Sequence, residues 1–158
     1  MDFWDHKESS KFKVQKPKPS TTKKRRITPV VIGILRRGNK YLLTKRVQNG
    51  EWVHKKWQFP GGELEFGESS EKGLQRELRE ELGIRLGAFN HKPLVYDSIR
   101  DNWHGILIVY LYELKDYEKL VVRLNHESSE FGWFTLDEIM KLDTLPKVKD
   151  MAQDAGHA

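Results

Sequence analysis

Apolar and polar positions along the chain sort into short β-rich runs around one long helical stretch. Residues 30–36 and 40–46 are such runs on either side of Gly38 and Asn39, a turn pair that predicts a hairpin. Leu35, Leu42 and Leu43 are assigned to the core. Residues 47–56 are polar with one glycine and read as a loop. From Ser69 to Leu82 there is almost no helix breaker: Ser69 or Ser70 can cap, Glu71 stands in the first turn, and Gly83 supplies a stop. This stretch is predicted as a helix of about four turns. At about 100° per residue, Leu74, Leu78 and Leu82 share one stripe of it.

Downstream, residues 94–100 and 105–114 read as strands joined by a polar turn at Asp101, Asn102, Trp103 and His104. Val121 and Val122 form a short strand, residues 125–130 a loop, and residues 132–134 a further strand. Thr135 caps a helix over 136–142, Pro146 interrupts, 147–151 adds a last helical turn, and 153–158 is read as a frayed tail. Strands around one long acidic helix, with a short helix at the end, predict the α+β class or an α/β/α sandwich, with 27–152 as one domain.

Charge changes the picture at the N-terminus. The whole chain carries +5, yet residues 1–29 hold nine Lys/Arg against three Asp/Glu, so the remainder is close to neutral. Residues 1–26, rich in Lys and with Pro17 and Pro19, are expected to form a flexible leader. It reads either as an electrostatic arm for nucleic acid or as a solubilising tail, and Phe3, Trp4 and Phe12 within it can dock on the domain. Without Cys there is no disulfide framework and no thiolate metal site. The N-terminus lacks the apolar core of a secretory signal, and the longest apolar run, 29–35, is far short of a membrane span. A cytoplasmic setting and no membrane partner are expected.

The chemistry concentrates on the long helix. Glu77, Glu80 and Glu81 gather on a face beside the leucine stripe, where like charges three and four apart repel. A bound cation reverses that sign. Hard oxygen ligands without Cys point to Mg²⁺ or Mn²⁺, and magnesium commonly completes its shell with substrate phosphates. Gly61 and Gly62 allow the backbone to approach a ligand closely. Glu68 is placed to pair with Arg76 and fix loop to helix. Lys45 and Arg46 face either phosphate or solvent, and Trp57 either stacks on a nucleotide or joins the core.

The spacing Gly62, Glu68, then Arg76, Glu77, Leu78, Arg79, Glu80, Glu81, Leu82, Gly83, Ile84 resembles the signature box of the Nudix hydrolases at every defined position, and residues 57–62 resemble the approach to it in MutT-type members. The resemblance implies the Nudix fold, a mixed central β-sheet between helices, and hydrolysis of a phosphoanhydride in a nucleoside diphosphate linked to another group. It implies Glu77, Glu80 and Glu81 as ligands of Mg²⁺ or Mn²⁺, with the Gly62 carbonyl, and Glu68 and Arg76 as scaffold. Arg79 reaches phosphate or only solvent. Glu127, six residues before Trp133, matches a glutamate tied in relatives to metal binding or water activation. The asparagine that reads oxidised purine in MutT relatives falls here on Val148, and 99–102 holds neither the proline of ADP-ribose members nor the tyrosine of diadenosine-polyphosphate members. A nucleoside triphosphate, oxidised or not, is the first expectation. The alternatives are ADP-ribose or a nucleotide sugar, an RNA 5′ end, or a non-catalytic nucleotide-sensing module. Base, sugar and oligomeric state are left open.

Overall fold

The computed structural model describes residues 24–89 and 92–157. It contains β1 (Arg26–Arg37), β2 (Lys40–Arg46), β3 (Trp57–Gln58), β4 (Gly61–Glu63), α1 (Ser70–Leu82), β5 (Leu94–Arg100), β6 (Trp103–Glu113), β7 (Ser128–Thr135), α2 (Leu136–Lys141) and α3 (Val148–Gly156). Residues 1–23 of the expected leader lie outside the described residues.

Seven strands form one mixed sheet in the order β3-β2-β1-β6-β5, with β4 paired to β1 and β7 to β2. The β1–β6 pair is parallel and runs from Arg26 beside Trp103 to Arg36 beside Glu113. The other pairs are antiparallel. One face packs against α1 through Val31, Leu35, Leu42, Leu74, Leu78 and Leu82. The opposite face carries Ile34, Leu43, Phe59 and Val109 beneath α2 and α3, which contribute Ile139, Met151 and Ala152. The architecture is thus the expected sandwich. All three leucines of the α1 stripe are fully buried, each stabilising by about 1.5–3 kcal/mol relative to exposure. Among the described residues, no helix is long and apolar enough to cross a membrane.

Local signals account for the helix ends. Ser69 accepts a hydrogen bond from the Lys72 N–H, and Gly83, at φ 66°, returns its own N–H to Arg79. Thr135 and Glu138 form a reciprocal capping box at α2.

Four expectations are corrected. The parallel pairing with β6 extends β1 back to Arg26, into the last residue read as leader. Trp103 and His104 belong to β6, because Asp101, at φ 51°, completes the turn together with Asn102 alone. Val121 and Val122 form no strand, and β7 begins at Ser128 because β2 pairs with it along its length. The C-terminus is not frayed before Gly156: Ala155 is 2% exposed in the core, its carbonyl accepts from Arg36, and Asp154 accepts from Tyr96.

Candidate active site

The site forms where the C-terminal half of α1 crosses β4. The Gly61 N–H donates to Glu81 Oε2 at 3.3 Å. At Gly62 a Cβ would lie 2.4 Å from the Glu77 Cδ, so the absent side chain leaves the space that this carboxylate fills. At Gly61 a Cβ would fall 2.0 Å from the Val31 carbonyl oxygen, inside the β1–β4 pairing. The two glycines therefore do different things: the first keeps the strand seated, the second admits the acid.

Arg76 is the hub of the loop preceding the helix. Its Nε and Nη2 donate to the two oxygens of Glu68 at 3.0 and 2.7 Å, and Nη2 also donates to the Glu63 carbonyl. Nη1 reaches Glu77 at 2.9 Å and Glu80 at 3.2 Å. The predicted pair between Glu68 and Arg76 is thus present in bidentate form. The Arg76 hydrogen bonds, aided by the Glu65 N–H, hold the Glu68 carboxyl down at about 2 and push the Arg76 guanidinium further above its ordinary range.

Glu81 is 7% exposed, and burial, then the charges of Glu127 and Glu77, push it up to about 8 against the pull of the Gly61 N–H and Arg46. Glu77 is also raised, chiefly by burial, with Arg76 opposing. Glu127 stands in the turn before β7, where its carbonyl accepts from Val47 and its carboxylate from Asn125. Its charge acts on both helix acids. Glu80 is 53% exposed at the rim.

The strand alternation separates the two candidate cations. Arg46 lies on the α1 side, acting on Glu81 and held by Gln48 at 3.0 Å and Gln58 at 3.4 Å. Lys45 points to the other side, over the Trp57 ring and toward Glu130. Trp57 itself is half-buried, edge-on to Phe134 with ring centres 4.9 Å apart, and its backbone bonds Asp143 and Leu145. Its ring is taken up by the core. The Arg79 side chain is exposed and makes no hydrogen bond or ion pair among the described residues.

Gln48, Gln58 and Asn125 are contributions that sequence reasoning missed. The signal for Gln58 is its cross-strand position opposite Thr44, two residues from Arg46 on the same face. Beyond β3 lies an open cleft of about 630 Å³ lined by Trp52, Lys56, Arg100, Asp143 and Lys147, among others. There the Arg100 guanidinium stacks 3.7 Å from the Trp52 ring centre.

Among the described residues, no three His, Asp or Glu side chains are gathered as a ready metal cluster. Arg76 draws Glu77 and Glu80 toward itself, and like charge opposes closer approach. The donor set nonetheless fits a hard cation: carboxylate oxygens of Glu77 and Glu81 held against a close-lying glycine backbone, with the Glu127 charge acting on both acids so that a cation would relieve the crowding.

The NUDIX domain family matches residues 24–154. The nucleoside triphosphatase NudI of Enterobacter sp. (strain 638) is 31% identical over 121 residues, covering 72% of this chain and 86% of its own. NudI of Escherichia coli (strain SE11) is 27% identical over the same shares. In structure, the MutT protein of Methanosarcina mazei Go1 superposes with a TM-score of 0.72 at 24% identity, covering 86% of this chain and 97% of that one. The MutT NUDIX hydrolase of Burkholderia pseudomallei gives 0.70 at 25%, covering 82% and 98%. With the box, the sandwich and these likenesses in agreement, the chain belongs to the Nudix hydrolase family.

Proposed function

We propose that this hydrolase is a Mg²⁺- or Mn²⁺-dependent pyrophosphohydrolase that converts a nucleoside triphosphate to its monophosphate and pyrophosphate. The observation that carries the reading is the pair of carboxylates, half-buried Glu77 and buried Glu81, set against the Gly61 and Gly62 backbone with Glu127 acting on both. The substrate class is supported by the NudI relatives, which are named nucleoside triphosphatases.

Glu77, Glu80, Glu81 and Glu127, with the Gly62 carbonyl, are the oxygens that would hold the cation. When bound, the cation supplies positive charge to phosphate oxygens and lowers the pKa of water. The chain's own residues do the rest. Arg46, tethered by Gln48 and Gln58, offers its guanidinium to phosphate beside Glu81. Glu127, exposed at the mouth, accepts the proton of the attacking water, which adds across one phosphoanhydride bond. Arg76 and Glu68 hold the loop against α1 and keep the acids in place. Trp52, Lys56 and Arg100 offer an aromatic and two cations beyond β3, where the rest of the nucleotide extends. A cytoplasmic setting accords with a chain that has no Cys.

The test is a panel of nucleoside triphosphates, canonical and oxidised, with ADP-ribose, nucleotide sugars and 5′-triphosphorylated RNA, assayed with Mg²⁺ beside a Glu80→Gln variant. Monophosphate and pyrophosphate from a free triphosphate, lost in the variant, are expected. Turnover confined to ADP-ribose, sugars or RNA would overturn the substrate class.

A further inference from the structure

Buried polar atoms without a partner are few in a folded chain, and each needs a reason. Among the described residues two side-chain atoms are in this position, Arg37 Nε and Thr44 Oγ1. The first belongs to a guanidinium that is otherwise engaged, donating to the Glu118 carbonyl and lying over the Trp133 ring. Thr44 has no such outlet. Its hydroxyl is the one polar group of a side chain that is 0% exposed, and valine would fill the same space without the cost of an unmade hydrogen bond.

The surroundings of the hydroxyl supply a reason. On β2, Thr44 stands between Leu42, which packs under α1, and Arg46, whose charge acts on Glu81, so the three share the face of the active site. Gln58 is its partner across the strand pairing, and residues so opposed have Cβ atoms about 5 Å apart, within reach of each other. Gln58 nevertheless turns its Oε1 to Arg46, whose Nη1 donates to it over a long 3.4 Å. The other end of the guanidinium is held more firmly, with Nε donating to Gln48 at 3.0 Å.

We propose that Thr44 is a positioning residue that takes over Gln58 when Arg46 turns to the substrate. The inference rests on the triphosphate reading above, in which the Arg46 guanidinium meets phosphate. In the free protein Gln58 Oε1 accepts from Arg46, and the Thr44 hydroxyl goes without a partner. On binding, the guanidinium pivots about the Nε held by Gln48, Nη1 leaves for a phosphate oxygen, and the Thr44 O–H donates to the vacated Oε1. One hydrogen bond replaces another at Gln58, so release of the arginine leaves that acceptor satisfied. The unmet hydroxyl is confined to the free state, and its relief on binding adds to affinity for the phosphate.

Valine and serine variants separate this role from packing. Calorimetric binding of an α,β-methylene nucleoside triphosphate with Mg²⁺ should weaken about fivefold in Thr44→Val, the factor that one neutral hydrogen bond carries. The melting temperature of the ligand-free variant should stay the same or rise. Thr44→Ser keeps the hydroxyl and should bind as the native chain does, although the lost methyl group lowers its melting temperature. Beside Gln58→Met the valine substitution should no longer alter affinity, because the acceptor is gone. Undiminished affinity in Thr44→Val overturns the inference, as does a loss that serine fails to rescue or that persists beside Gln58→Met. Because the analogue is not cleaved between its α and β phosphates, these arms decide the role of Thr44 apart from turnover, and a failed turnover assay counts against the hydrolase reading alone.

Discussion

The carboxylate of Glu77 occupies the place where any residue other than glycine at position 62 would carry its Cβ, with both oxygens within 2.6 Å of that point. A strand backbone and a helix side chain thereby meet without an intervening group. The position of the acid depends on the absence of an atom.

Gly62→Ala is expected to cost activity and spare the fold. The clash is with the far end of a flexible side chain, which swings away at little energetic cost. Displacing a reacting-site group by an ångström lowers turnover by roughly 10²-fold. Gly61→Ala is expected to behave oppositely, because its Cβ meets the Val31 backbone and the β1–β4 pairing must open. That should cost about 2 kcal/mol or more of stability. Urea unfolding and steady-state kinetics on both variants separate the two; similar stability losses would refute the assignment.

Acid stability should depend on Glu68. The bidentate Arg76 contact lowers its folded-state pKa from 4.5 to about 2. A depressed carboxylate contributes stability that is complete above the unfolded value and is lost as pH falls from about 4.5 through about 2. Urea midpoints of the native chain and Glu68→Gln should therefore differ near neutral pH and converge toward pH 2. A difference that holds constant across that window would show that the ion pair is not its source.

The legible parts of this fold are those decided within a few residues of one another. The α1 helix announces itself through Ser69, Gly83 and the leucine stripe, and the α2 cap through Thr135 and Glu138. What escaped depends on distant partners. The start of β1 is set by β6, whose Trp103 pairs with Arg26 from far along the chain, and the separation of Lys45 from Arg46 only has meaning once each face of β2 is known. Likewise, Arg100 meets Trp52 across the β3 end with no local signal in either stretch. Of the site, the helix acids and the Glu68 to Arg76 pair could be read from spacing, but the glutamines that hold Arg46 could not.

The end of the chain illustrates the same point and is testable. Residues 153–158 look polar and small, yet Ala155 fits the core because a larger side chain is not needed there. Deleting them removes that contact, the Arg36 hydrogen bond to the Ala155 carbonyl and the Tyr96 hydrogen bond to Asp154. A loss of about 1–3 kcal/mol is expected in denaturant unfolding. An unchanged midpoint would mean that the last turn of α3 carries no stability.

Glu81→Gln should separate the stability of the metal-free protein from its response to metal. The native carboxylate is buried, its pKa pushed up to about 8 by burial and by the charges of Glu127 and Glu77, so its ionised form destabilises the metal-free fold. Glutamine keeps the shape and can still accept from the Gly61 N–H while removing the charge. The variant should therefore unfold at the same or a higher temperature than the native chain without divalent cation. Added Mg²⁺ should raise the melting temperature of the native chain by linkage, and this rise should be largely lost in the variant together with activity. If Mg²⁺ stabilises both proteins equally, Glu81 is not among the oxygens that hold it, and its burial must serve the packing of α1 on β4 instead.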